Sequence, residues 1–92
     1  MVLKIVDKSG RLIHLSSERW SHILKHAGMN NQLDNIKETV EKPTRITKLK
    51  FDNKINFYFK YYKDKKSYLM VMIKYLNGNG FIITSFYTDK IK

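Results

Sequence analysis

Apolar and polar residues alternate in two short runs at the start of the chain, VLKIVD (residues 2–7) and RLIHL (residues 11–15), on either side of KSG. A period of two flanking a glycine that tolerates positive φ predicts a β-hairpin. After Leu15 the period changes. Ser16 or Ser17 is placed to accept a hydrogen bond from a free first-turn N–H, and Glu18 suits the positive end of a helix dipole. Trp20, Ile23, Leu24 and Ala27 then recur at i, i+3, i+4 and i+7, which predicts a first helix from about residue 17 to Gly28 with one buried face. Asn30 or Asn31 can cap a second helix carrying Leu33, Ile36 and Val40 on one side, and Pro43, the only proline, stops it.

From Thr44 onward the runs TRITKLKF, INFYFKYY, SYLMVMIKYL and GFIITSFYT are separated by DNK, KDKK and NGNG. Each separator is short and turn-forming, so the four runs read as an antiparallel meander. The predicted architecture is α+β in a single domain spanning residues 1–92. It has an N-terminal β-hairpin and two helices packed on one face of a four-stranded antiparallel sheet. Leu69, Val71 and Ile73 should face the helices, leaving Tyr68, Met70, Met72 and Lys74 on the other side. The tyrosines and lysines alternating in INFYFKYYKDKK, Tyr58 among them, would make that second face aromatic and basic, suited to stacking bases and holding phosphates. Ordinary cross-strand packing is the competing reading.

Composition narrows the function classes. Ninety-two residues support one modest core and one site. The absence of cysteine excludes disulfides and thiolate chemistry, and no apolar run approaches the roughly 20 residues of a membrane span, so a cytoplasmic protein without a membrane partner is expected. The net charge of +10 points to a polyanionic partner. That charge is uneven: residues 1–43 hold seven basic and five acidic side chains, residues 44–92 eleven and three.

The chemistry concentrates in RWSHILKHAG, residues 19–28. At the helical repeat, Arg19, His22 and His26 fall within a sector of roughly 60°, away from the apolar face. A metal site would need a third ligand, and HExxH spacing is absent. No nucleophile-elbow motif accompanies the histidines, and NGNG is a strand-connecting turn rather than a phosphate-binding loop. Metal-free chemistry on RNA remains, needing no cofactor, because the 2′-OH is the nucleophile and the protein supplies only a base, an acid and cations.

RWSHILKHAG, then ETVEKPTRI, FYFKYYK, YLMVMIKYL and GFIITSFYTDKIK, resembles the phage-type members of the barnase-EndoU-colicin-RelE nuclease group, over residues 19 to about 92. The matched elements are W-x-H-I-x-x-H on a helix, a second helix ending E-x-x-x-x-P-x-x-I, a strand with Tyr and Lys, and a last strand I-I-T-x-F. The resemblance implies a metal-independent, toxin-like ribonuclease that cuts tRNA or mRNA, with an acidic antitoxin or immunity protein as a possible partner. It points to His22 and His26 as general acid and base without saying which is which. It points also to Lys60 and Thr84, with Tyr87 nearby on the last strand; Lys60 with Arg45 is expected on the phosphate, Thr84 as a donor to its oxygens, and Arg19, Tyr58 and Tyr87 on the RNA. The hairpin lies outside the matched pattern and leaves open whether His14 joins the site. A non-catalytic RNA- or DNA-binding module using the same basic sheet is the alternative.

Overall fold

The structure is a computed structural model that describes residues 2–91. The hairpin is formed by β1 (Leu3–Val6) and β2 (Leu12–Leu15), and Asp7 organises its turn. The Asp7 Oδ1 accepts from the backbone N–H of Ser9 and of Arg11, both at 2.9 Å, while Gly10 takes φ 89°.

Helix α1 (Ser17–Ile23) begins at Ser16, whose hydroxyl accepts from the Arg19 N–H at 3.1 Å. It ends earlier than the expected Gly28. The N–H groups of Lys25 and His26 bond three residues back, to the carbonyls of His22 and Ile23, which tightens the chain out of the α-helical repeat. Gly28, at φ 78°, reverses the direction and Met29 enters the core fully buried. Leu24 and Ala27, expected on the buried face, are therefore exposed. Helix α2 (Leu33–Glu41) follows, with Gln32 rather than Asn30 or Asn31 at its N-cap. Asn31 is left-handed at φ 61°. Lys42 is the C-cap and Pro43 stops the helix, as its fixed φ and missing N–H require.

The meander forms as β3 (Arg45–Leu49), β4 (Asp52–Tyr62), β5 (Ser67–Leu76) and β6 (Asn79–Thr88). Asn77 and Gly78, at φ 54° and 81°, make the two-residue turn between β5 and β6 that an Asn-Gly pair favours. The expected four-stranded antiparallel sheet is corrected to a six-stranded mixed sheet in the order β1-β2-β6-β5-β4-β3. The hairpin is part of the sheet: β2 lies parallel to β6, pairing Leu12 with Asn79, Ile13 with Gly80 and His14 with Phe81. Close approach is possible there because residue 80 is glycine. A Cβ at Gly80 would stand 2.3 Å from Ile13 Cδ1 and 2.9 Å from Tyr75 Cε1.

One sheet face carries the helices and the core. Leu69, Val71 and Ile73 point into it as expected, fully buried against Ile23, Met29, Ile36 and Val40. Strand register sends the opposite alternation of β4 and β6 to the second face. Phe57 pairs with Met72 and Phe59 with Met70, while Met72 pairs with Thr84 and Met70 with Phe86. Among the described residues no helix is long and apolar enough to cross a membrane.

Candidate nucleic-acid interface and acid-base site

The second face is open and aromatic. Phe57, Phe59, Met70 and Phe86 line a groove of about 350 Å³ rimmed by Lys50 and Lys90. Phe59 and Met70, 3% and 5% exposed, form its floor, so this apolar surface is shielded mainly by neighbours on the same face. Arg45 is exposed and in register with Phe59, which places it on this face at the outer strand.

At the other end of the same face stands His26. Strand β2 covers β6 only from Asn79 to Phe81, and α1 packs against β6 beyond it. The turn after α1 carries His26 round this strand edge. Its Nε2 lies 3.4 Å from Thr84 Oγ1, and its ring meets that of Phe86 with centroids 5.3 Å apart. A β-bulge aims Thr84 at this position: Ile82 pairs with Ile73 and Thr84 with Met72, leaving Ile83 as the extra residue.

His14 lies on this face too. Its ring stacks on Phe81, centroids 5.3 Å apart and 20° between planes, and its Nε2 is 3.4 Å from Asn79 Oδ1. His14, Arg19, Lys74 and Phe81 line one cavity of about 420 Å³, with Ile82 and Ile83 on its wall next to Thr84. Phe81 pairs with Lys74 and Thr84 with Met72, two residues apart on β5, so across the bulge the anchors of His14 and His26 are about 7 Å apart along the strand. His22 is exposed on the last turn of α1.

The structure thus brings His26, Thr84 and Arg19 to one end of the open face, with Arg45 three strands away, about 14 Å at the usual strand spacing. It does not bring Lys60, Tyr58 or Tyr87 there. Lys60 is in register with Leu69 on the helix-facing side, where its Nζ donates to the Lys42 carbonyl at 3.1 Å and caps α2. Tyr58 is 1% exposed and its hydroxyl is 2.6 Å from that of Tyr75. The Tyr75 hydroxyl in turn donates to Asp7 Oδ2 at 2.8 Å. Tyr87 donates to Gln32 Oε1 at 2.5 Å and accepts from the Asn35 amide at 3.2 Å. Burial raises the Tyr87 hydroxyl above its ordinary range, as it does those of Tyr62 and Tyr75, so all three remain protonated hydrogen-bonding groups.

Sequence reasoning placed Lys74 on this face, as observed, but it put Tyr58 on the interface where Phe57 and Phe59 stand, and it missed Phe86. Counting back from the KDKK turn would have found the two phenylalanines of β4. Tyr62 opposite Ser67 puts Lys60 against Leu69 and Tyr58 against Val71, hence Phe57 and Phe59 on the other face. Among the described residues no three His, Asp or Glu side chains gather as a metal site requires. Comparison of the chain with protein-family models, with curated proteins and with solved structures gives no match.

Proposed function

We propose that the protein is a metal-independent endoribonuclease, toxin-like and cytoplasmic, that binds single-stranded RNA across the open aromatic face and cleaves it at the His26 end. The observation that carries this reading is the His26–Thr84 contact at the edge of a stacking surface. Bases stack on Phe57 and Phe86 above the buried Phe59, while Lys50, Lys90 and Arg45 neutralise phosphates along the strand. The scissile phosphate sits between His26 and the cavity that holds His14, Arg19 and Lys74.

In this mechanism His26 Nε2 takes the 2′-OH proton as the 2′-oxygen bonds to phosphorus. The bond from phosphorus to the 5′-oxygen breaks, and that oxygen receives a proton from protonated His14. The products are a 2′,3′-cyclic phosphate and a 5′-hydroxyl. Base and acid belong on opposite sides of phosphorus. Two hydrogen bonds of about 2.8 Å plus the oxygen-to-oxygen span across phosphorus come to roughly 9 Å, which two imidazoles reaching out from anchors about 7 Å apart along β6 can span. Thr84 donates to a non-bridging oxygen, and the Arg19 and Lys74 cations stabilise charge that grows there in the transition state. An acidic inhibitor protein covering the cationic face is the partner this reading implies.

A non-catalytic RNA-binding module is the second reading, favoured by the structural use of Lys60 and Tyr58 on the opposite side of the sheet. Incubating single-stranded RNA and tRNA with the protein in excess EDTA separates the two. The ribonuclease yields fragments with 2′,3′-cyclic phosphate ends that disappear with His26→Ala. The module binds both RNAs without fragmenting either.

A further inference from the structure

On the helix-facing side, away from His26, a cleft of about 490 Å³ opens between the β1–β2 turn and the β3–β4 hairpin. Its lining includes Lys8 and Arg11 from the first and Lys48 and Lys54 from the second. Tyr58, Tyr75 and Asn56 line it from the sheet. Asp7, the carboxylate beside this cleft, already accepts from Arg11 Nε at 3.0 Å and from the Tyr75 hydroxyl at 2.8 Å. The Arg11 guanidinium lies flat over the Tyr75 ring, 3.6 Å from its centroid, so the sheet-side wall is held rigid by the cluster of Asp7, Arg11, Tyr58 and Tyr75.

Asn56 is the unresolved group in this arrangement. The residue is 6% exposed, and its Oδ1 accepts no hydrogen bond from any described residue. A buried carbonyl without a donor is destabilising, and a position in register with the core residue Ile73 would hold an apolar side chain without that cost. A ligand for this cleft therefore has two properties. It is anionic, to meet the cations of the two turns, and it carries an N–H that reaches Asn56 Oδ1. A phosphate group supplies the first and a nucleobase the second, and the cleft falls in the size range of small-molecule sites.

We infer that the cleft between the two turns is a nucleoside monophosphate site, with Lys8, Lys48 and Lys54 on the phosphate and the Asn56 side-chain carbonyl accepting from a base N–H. It lies on the sheet face opposite His26 and is independent of the ribonuclease reading. Calorimetric titration with AMP, GMP, CMP and UMP, and with ribose 5-phosphate and inorganic phosphate as controls, tests it on the full chain. The expected result is that at least one nucleotide binds about tenfold or more tighter than ribose 5-phosphate, since only the base brings the N–H donor. Asn56→Leu should weaken that nucleotide by about tenfold while leaving the thermal midpoint unchanged or raised, because it removes an unpaired buried acceptor. Lys8→Ala with Lys54→Ala, both on the rim, should weaken all phosphates together. Binding must persist in His26→Ala, which lies on the other face. Equal affinity for ribose 5-phosphate and nucleotides, no nucleotide binding at all, or nucleotide binding abolished by His26→Ala would each overturn the assignment.

Discussion

Thr84 Oγ1 lies 3.4 Å from His26 Nε2 across 58 residues of chain. Two local departures from regular structure make the contact. The first is the tightening of the chain after Ile23, which takes His26 off the α-helical repeat and round the strand edge. The second is the bulge at Ile83, which returns Thr84 to the open face. Neither His22 nor Lys60 shares this contact, and the His26 end of the open face is built from β6, the end of β2, and α1 with the turn that follows it.

Removing the stacking surface should weaken RNA binding without unfolding the protein. Phe86→Ala and Phe57→Ala are each expected to cost about 1–3 kcal/mol of affinity for single-stranded RNA, measured by fluorescence anisotropy at fixed salt. Tyr58→Phe, by contrast, alters a hydroxyl pair on the buried side. It should lower the thermal midpoint and leave RNA affinity unchanged.

Lys60 separates the structure from the family resemblance. Its Nζ caps the Lys42 carbonyl at the end of α2. Lys60→Met is expected to reduce stability by up to about 1 kcal/mol, the scale of one partly exposed hydrogen bond, and to leave RNA cleavage at the wild-type rate. A large loss of cleavage at unchanged stability would return Lys60 to the phosphate.

The parallel pairing of β2 with β6 depends on Gly80. Gly80→Ala places a methyl group against Ile13, Tyr75 and Ile73, and should destabilise by about 1–3 kcal/mol in urea unfolding. The same substitution at Gly10, where an added Cβ meets nothing, would test only the strain of its φ of 89°.

Acid should destabilise the fold through Asp7. Burial pushes its carboxyl up, but the Arg11 backbone N–H, the Tyr75 and Ser9 hydroxyls and the Arg11 charge together hold it below the ordinary value of 3.8. A depressed folded-state value means that ionised Asp7 contributes stability in full above the unfolded value and loses it as pH falls through the folded one. Thermal midpoints should therefore decline below about pH 4 more steeply in the wild type than in Asp7→Asn.

Local pattern carried much of the fold. The alternation around KSG, the capping serine before α1, Pro43 after α2 and Asn77–Gly78 between β5 and β6 each act over a few residues, and each marks its element. The pairing of His14 with Phe81 has no such local sign, because strands so far apart in sequence meet only through the packing of everything between them. The aromatic face was legible in kind but shifted by one residue, and a one-residue shift in a strand exchanges its two faces. His26 was visible as a candidate. Its partner on β6 followed from the resemblance, whereas the placement of His14 beside Phe81 needed the sheet order.

The most direct test of the His26–Thr84 site is a double-substitution cycle on single-turnover RNA cleavage in EDTA, with His26→Ala, Thr84→Val and the pair together. His26→Ala should slow cleavage by about 10²–10⁴-fold, the usual contribution of a general base. The double variant should be slowed by less than the product of the two single effects, because residues that act on one phosphate as a unit are non-additive. Thr84→Ser should recover most of the rate. Cleavage by His26→Ala at the wild-type rate, or no cleavage of any RNA by the wild-type protein, would contradict the account.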